Sequence, residues 1–310
     1  MRVFHSTDHL PEFRNTVFTQ GTFDGVHLGH QKILRHLQSE TIKAEGESVL
    51  LTFWPHPRLL LFPEDNQLKL LQTLDEKLDV LKACGVDNVI VLPFTREFSN
   101  ILPEDYIRDL LVNKLNVHTA IIGYDHRFGR NREGDIQLLQ AYSAQYRYQV
   151  IEIAAEDIDH ISISSTKIRN ALLSGDVEAA SASLGRPYNF TGRVVHGKKL
   201  GRTLGFPTAN LEPASRHKLI PAGGVYAVRC RIAEHTYGGM MNIGDNPTVA
   251  DKGYSIEVNI FDFQEDIYGK DLEVFVLSRL RDEKKFDNLA DLALFLQQDK
   301  KNALEKIAHL

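Results

Sequence analysis

The hydrophobic pattern of this chain changes character at about Arg186-Pro187, and no single layered architecture accommodates both sides of that change. Before it, short apolar runs alternate with stretches of helical spacing. Val17–Gln20, Ser48–Phe53, Asn88–Leu92, Thr119–Tyr124 and Gln149–Ile153 read as buried strands. One intervening helix carries Leu74, Leu78 and Leu81, opened by Asp75 and closed by Gly85; another starts near Pro103 and runs through Leu110 and Leu111. Two more, Ser165–Ser174 and Asp176–Leu184, are stopped by Gly175 and Gly185. Such alternation implies a parallel sheet covered on both faces, with ligands at the carboxyl ends of the strands. After the change, Gly192–Val195, Val225–Ile232, Tyr254–Phe261 and Leu272–Leu277 follow one another with Gly, Pro and Asn turns and no helix between. That order predicts an antiparallel barrel or sandwich. A closing helix is expected, capped by Asp287, with Leu289, Leu292 and Leu296 on one face. The fold class is α/β plus all-β, with domains at 1–185 and 186–310; a chain of 310 residues suits two domains of roughly 100–200 residues each.

Bulk properties exclude several classes. Hydrophobic residues at 43% and charged residues at 25% fit a globular chain, and a net charge of −5 argues against a general nucleic-acid binder. Between Arg186 and Lys218, however, seven Lys/Arg accompany one acid, Glu212, which fits either a polyanion site or a solvated basic loop. Cys84 and Cys230 are the two cysteines, without zinc-ligand spacing, so neither a disulfide scaffold nor a structural zinc site is expected and a reducing cytoplasm fits. Met1–Leu10 has no apolar core of a secretory signal, and no stretch approaches the ~18 apolar residues of a membrane span, so no membrane association is expected.

The first chemical constellation follows the first apolar strand: Gly21-Thr22-Phe23-Asp24-Gly25-Val26-His27-Leu28-Gly29-His30. Gly21, Gly25 and Gly29 permit tight turns and close approach of a bulky anion. His27 and His30, three apart, project from one side of a helix start, where free N–H groups and positive potential also favour an anion. Two imidazoles over a triphosphate suit phosphoryl-type transfer, which needs mainly positioning and charge stabilisation. Two unrelated surface or core histidines, or a metal site lacking a visible third ligand, are the alternatives.

Three further segments fall at predicted strand ends or helix starts: Thr52-Phe53-Trp54-Pro55-His56-Pro57, Gly123-Tyr124-Asp125-His126-Arg127-Phe128-Gly129, and Ile163-Ser164-Ser165-Thr166-Lys167-Ile168-Arg169. Alone, Pro55-His56-Pro57 is a stiff turn and Ser164 or Ser165 a simple helix cap. Hydroxyls and bare N–H groups with Arg169 one turn on also suit a phosphate. With the His-x-Gly-His segment, they resemble the nucleotidylyltransferase superfamily and, more narrowly, the FMN adenylyltransferase module of bacterial bifunctional FAD synthetases, which implies a Rossmann-like N-terminal domain. The resemblance implies that His27 and His30 stabilise the triphosphate. Gly21, Phe23, Asp24, Gly29, Ser164, Ser165, Thr166 and Arg169 would bind ATP, and Pro55, Pro57, Asp125 and Phe128 would lie toward the flavin. Trp54, where many relatives carry Glu, and His126, where they usually carry Phe, depart from the pattern. Tyr106 is a weaker candidate for stacking on the flavin.

The second constellation is Gly192–Asn210, in which Gly197, Gly201 and Gly205 sit among basic residues including Lys198. It is not a Walker A loop, and a surface hairpin would explain it nearly as well. Pro207-Thr208-Ala209-Asn210 is sharper. In extended backbone Thr208 and Asn210 share a face, and their oxygens are hard ligands suited to Mg²⁺. Glu257 lies in an alternating run and is either a base on an inward face or a solvent-facing edge residue. From Leu184-Gly185-Arg186-Pro187-Tyr188 to Leu280–Phe286, this half resembles riboflavin kinase, with Gly205-Phe206-Pro207-Thr208-Ala209-Asn210 the most specific string. The resemblance implies a small antiparallel barrel, Mg²⁺–ATP on Thr208 and Asn210, nucleotide contacts from Gly197, Lys198, Gly201, Gly205 and Pro207, and Glu257 as base. Asn259 replaces a His common two places after the acid.

The implied function is FAD synthesis in two steps, with riboflavin, FMN, FAD and ATP as small-molecule partners, Mg²⁺ as cofactor and no obligate protein partner. One rival keeps a single working half. Another is a nucleotidylyltransferase acting on phosphopantetheine or a sugar-alcohol phosphate, which leaves the Pro-Thr-Ala-Asn string without a purpose.

Overall fold

The structure, a computed structural model, describes residues 1–61, 68–153, 163–197, 201, 204–245, 254–284, 286 and 288–309. The chain forms two compact units, one of Met1–Leu68 with Leu74–Ser164, the other of Lys69–Thr73 with Ser165–Leu310. The helices Ser165–Ser174 and Val177–Leu184 therefore group with the second unit, upstream of the change in sequence pattern at Arg186.

In the first unit, β1 (Arg2–Phe4), β2 (Thr16–Gln20), β3 (Ser48–Phe53), β4 (Asn88–Leu92), β5 (Val117–Gly123) and β6 (Gln149–Ile153) form a parallel sheet in the order β1-β4-β3-β2-β5-β6. Every residue of β3 and β4 is buried, as expected for strands covered on both faces. The pleat divides them: Val49, Leu51 and Phe53 enter one apolar cluster with Ile90 and Ile122, while Leu50 enters the other with Val17, Val89 and Ile121. Helix α1 (Leu28–Lys43) connects β2 to β3, and α2 (Pro57–Leu61) and α3 (Leu74–Ala83) lie between β3 and β4. The strand order reverses between β2 and β5, the kind of crevice where open α/β sheets hold ligands. β1, absent from the sequence reading, has three residues and no apolar run. The helix expected from Pro103 begins as such and then winds in wider π-type turns over Tyr106–Lys114, with Tyr106, Ile107, Leu110 and Leu111 all buried.

In the second unit, β7 (Tyr188–Val195), β8 (Ala209–Pro213), β9 (Gly224–Ile232), β10 (His235–Asp245), β11 (Tyr254–Ile260) and β12 (Asp271–Arg281) close an antiparallel barrel in the order β10-β11-β8-β7-β12-β9. Two of its strands are missing from the sequence reading. β8 is broken by Asn210, Glu212 and Pro213, and β10 carries Gly238-Gly239, where a side chain on Gly239 would press on the Asn259 carbonyl. Gly175 and Gly185 end their helices at φ of 84° and 70°, as expected, while Asp176 caps the second helix by accepting from the Ala179 N–H. The closing helix runs Leu289–Ala308. Its cap is Asn288, which accepts from the Asp291 N–H; Asp287, the expected cap, lies outside the described residues. Leu296, Ala303 and Ile307 meet the barrel, whereas Leu289 is 54% exposed, because the packed cluster is reached by the later turns.

Candidate active sites

His27 is the N-cap of α1: its backbone is extended and its Nδ1 accepts from the His30 N–H at 3.3 Å. Capping turns the His27 ring onto His30, and the two imidazoles stack with centroids 3.7 Å apart at 16°. Phe23 packs on the other side of His30 at 5.0 Å. The His30 Nδ1 is sealed from water without a hydrogen-bond partner. Burial, reinforced by His27 and the Lys77 cation, holds the His30 imidazole well below its ordinary pKa. The stacked pair thus sits at the N-terminal end of α1, where the positive end of the helix dipole favours an anion. The approach loop is strained: Phe23 and Val26 adopt φ of 46° and 38°, left-handed values that a β-branched residue rarely takes. Gly21, Phe23, Asp24 and Gly29 all lie in or beside this loop, with Phe23, Asp24 and Gly29 buried.

The other expected segments differ in character. Pro55 is exposed and Pro57 half-buried, on either side of a buried His56 whose Nδ1 accepts from the Arg58 N–H at 3.2 Å. Asp125 is exposed after β5, while Phe128 is 4% exposed and belongs to the core, with Tyr106 at 5.0 Å and His126 at 6.0 Å. Tyr106 is itself buried and donates its hydroxyl to Gln20 at the end of β2, so its ring braces Phe128. Ser164 precedes the helix that starts at Ser165, and Thr166 is exposed on its first turn. Arg169 donates its Nε to the Lys69 carbonyl at 2.7 Å. The compact units divide inside this segment, between Ser164 and Ser165.

Sequence reasoning passed over Lys77. It lies on the buried stripe of α3, three residues after Leu74 and four before Leu81, is 2% exposed, and donates to the Thr22 carbonyl at 2.8 Å and the Thr52 hydroxyl at 3.4 Å. A lysine inside an apolar stripe was the signal.

In the barrel, β11 pairs with β8 so that Glu257 stands opposite Asn210. The Thr208 hydroxyl donates to the Glu257 carboxylate at 3.1 Å. Glu257, Asn242 and Asn259 line a cavity of about 270 Å³ whose apolar wall includes Met240, Met241 and Phe286. A second cavity of about 380 Å³ is lined by Pro207, Val194 and Tyr268, and Thr208 borders both. Asn259 donates to the Pro207 carbonyl at 2.7 Å, so the residue that departs from the riboflavin kinase pattern anchors the segment that carries Thr208 into β8. Gly197 lies under Asn210, whose amide occupies the space a Cβ would need. Gly201 lines the smaller cavity, Gly205 has φ of 82°, and Lys198 lies outside the described residues. Arg281 holds Asp299 of the closing helix through both carboxylate oxygens, at 2.7 to 3.2 Å, and both residues line the smaller cavity.

Residues 10–167 match the FAD synthetase family and residues 184–307 the riboflavin kinase family. The bifunctional riboflavin kinase/FMN adenylyltransferase of Escherichia coli K12 is 38% identical over 306 residues, covering 98% of this chain and 96% of the relative. The chain belongs to this bifunctional family. Its members from Haemophilus influenzae and Listeria monocytogenes are 37% and 38% identical, over 98% and 96% of this chain and 97% and 94% of theirs. A crystal structure of a Streptococcus pneumoniae chain described as a macrolide-efflux protein superposes with a TM-score of 0.88 at 33% identity, covering 96% of this chain and 97% of that one. Among the described residues of the present chain, no helix is long and apolar enough to cross a membrane. Membership makes this chain an ATP-using transferase that phosphorylates riboflavin to FMN and adenylylates FMN to FAD.

Proposed function

We propose that the two steps of FAD synthesis are divided between residues 1–185, which adenylylate FMN, and residues 186–310, which phosphorylate riboflavin. The family matches at 10–167 and 184–307 support that division. In the barrel, the Glu257 carboxylate takes the proton of the ribityl 5′-hydroxyl. The oxygen bonds to the γ-phosphorus of ATP, the bridging β–γ bond breaks, and ADP leaves. The apolar wall of the smaller cavity suits the flavin ring, and Thr208, bordering both cavities, stands where the transferred phosphoryl group would pass. The donors there are a hydroxyl, an amide oxygen and a carboxylate, hard oxygens that fit Mg²⁺. Thr208 and Asn210 would hold that ion, and it would neutralise phosphate charge. Gly197, Lys198, Gly201, Gly205 and Pro207 are assigned to the nucleotide.

At the first sheet, an FMN phosphate oxygen bonds to the α-phosphorus of a second ATP as pyrophosphate leaves. His27 and His30 stabilise the charge that builds on the phosphate oxygens. Gly21, Phe23, Asp24 and Gly29, with Ser164, Ser165, Thr166 and Arg169, are assigned to ATP; Pro55, Pro57 and Asp125 face the flavin over the buried backing of Phe128. Cytoplasmic placement is proposed on Cys84 and Cys230 being free thiols, Cys230 pushed up to about 12 by burial.

The observation that carries this division is that each unit holds its own set of groups in contact, His27 with His30 and Thr208 with Glu257. A chromatographic time course with riboflavin, ATP and Mg²⁺ tests it. FMN should appear first and FAD second; a folded single-residue variant of either site that neither phosphorylates riboflavin nor adenylylates supplied FMN overturns the division.

A further inference from the structure

We infer that Lys77 is a positioning residue for adenylyl transfer, clamping the carboxyl ends of β2 and β3 so that the strained loop delivers His30 to the phosphates. That role rests on FMN being adenylylated at this end of the sheet. Burying a cation is costly, and an apolar side chain would complete the Leu74–Leu78–Leu81 stripe more favourably if packing were the only demand. Lys77 instead spends its donors on two neutral oxygens, the Thr22 carbonyl at 2.8 Å and the Thr52 hydroxyl at 3.4 Å, and stands 5.7 Å from the centre of the Trp54 ring. Thr22 is the residue before Phe23, whose φ is 46° and whose ring abuts His30 at 5.0 Å. Left-handed backbone at Phe23 and Val26 persists only where its surroundings over-determine it, and the ammonium supplies that hold at the loop's entrance.

The same charge acts on the site directly. The ionisable groups facing this cluster are Asp24 from the loop, His27 and His30 from α1, and Lys77 from α3. Burial lowers Lys77 to about 8, with Asp24 opposing the shift. At neutral pH the residue is mostly an ammonium, adding positive potential behind a neutral His30 where an incoming triphosphate brings negative charge.

The test uses the full chain, assaying both steps from pH 6.5 to 9.5 for the wild type, Lys77→Met and His30→Ala. Lys77→Met should lower kcat for FMN adenylylation about 10- to 100-fold, as expected for small misplacement of a reacting group, with KM for FMN within about twofold and riboflavin phosphorylation unchanged. Wild-type kcat/KM for adenylylation should fall as pH rises through about 8, a limb that needs no variant to observe. Wild-type kcat in Lys77→Met overturns the role of Lys77. Adenylylation surviving in His30→Ala overturns the site reading itself, so the two failures are distinguishable.

Discussion

The two sites solve the same problem, steering an oxygen at a phosphorus atom, with opposite structural means. The sheet site is made of loop and helix end. Its histidines are oriented by a cap, its approach loop carries left-handed backbone at Phe23 and Val26, and a buried cation ties that loop down. The barrel site is made of strands. Pairing of β11 with β8 sets Glu257 across from Asn210, and one side-chain bond, Asn259 to the Pro207 carbonyl, steadies the segment leading to Thr208. Loops need strain and a clamp to be precise, whereas strands inherit precision from their ladder. The chemistry we propose for them differs in parallel: charge stabilisation beside a His30 imidazole lowered by burial in one, general-base catalysis by a half-buried carboxylate in the other.

The largest effects should come from crossing the two sites. His30→Ala should reduce FAD formation on the order of 10²–10³-fold while FMN accumulates, and Glu257→Ala should reduce FMN formation by about 10²–10⁴-fold while supplied FMN is still adenylylated. Chromatography of both products reads this contrast. Next in size, Asp299→Ala strands Arg281 without its buried partner, which is 3% exposed, and should cost the barrel about 3–5 kcal/mol in denaturant unfolding. Asn259→Ala should be milder. Losing the Pro207 anchor removes about 1–3 kcal/mol of positioning, read as a lower kinase kcat with adenylylation untouched. If that variant leaves the kinase unchanged, the contrast between an anchored strand and a clamped loop fails.

A last contrast separates the units by pH. His126 is lowered to about 4 by burial and by Arg132, and His30 lies well below its ordinary value. Below about 6.5 the unfolded chain takes up protons that these folded imidazoles refuse, so stability of the first unit should be lost as pH falls, by about 1.4 kcal/mol per pH unit for each group. His126→Phe should remove one contribution and flatten the slope between pH 6.5 and 4. An unchanged slope in thermal unfolding would place the acid sensitivity elsewhere.

Much of this organisation was readable in one dimension. β3 and β4 appear in the sequence at their observed limits, because strands in a covered parallel sheet are short, apolar and bounded by polar turns; the edge strand β6 also keeps its expected limits, with Gln149 and Glu152 exposed. The stacking of His27 and His30 follows from their spacing at a helix start. β8 and β10 were not readable, since a closed barrel supplies through its neighbours the pairing that Asn210, Pro213 and the Gly238-Gly239 pair do not signal locally.

The amino-acid order alone determined the change from alternating to all-strand structure, the glycine helix stops and the motifs of both activities, because each depends on neighbours within a few positions. Tertiary structure alone decided that Lys77 reaches Thr22 and Thr52, that Asn259 holds Pro207, that Arg281 grips Asp299, and that Tyr106 and Phe128 are core. These contacts join residues far apart along the chain. Burial and charge at such a meeting point come from the fold around it, and no local pattern encodes them.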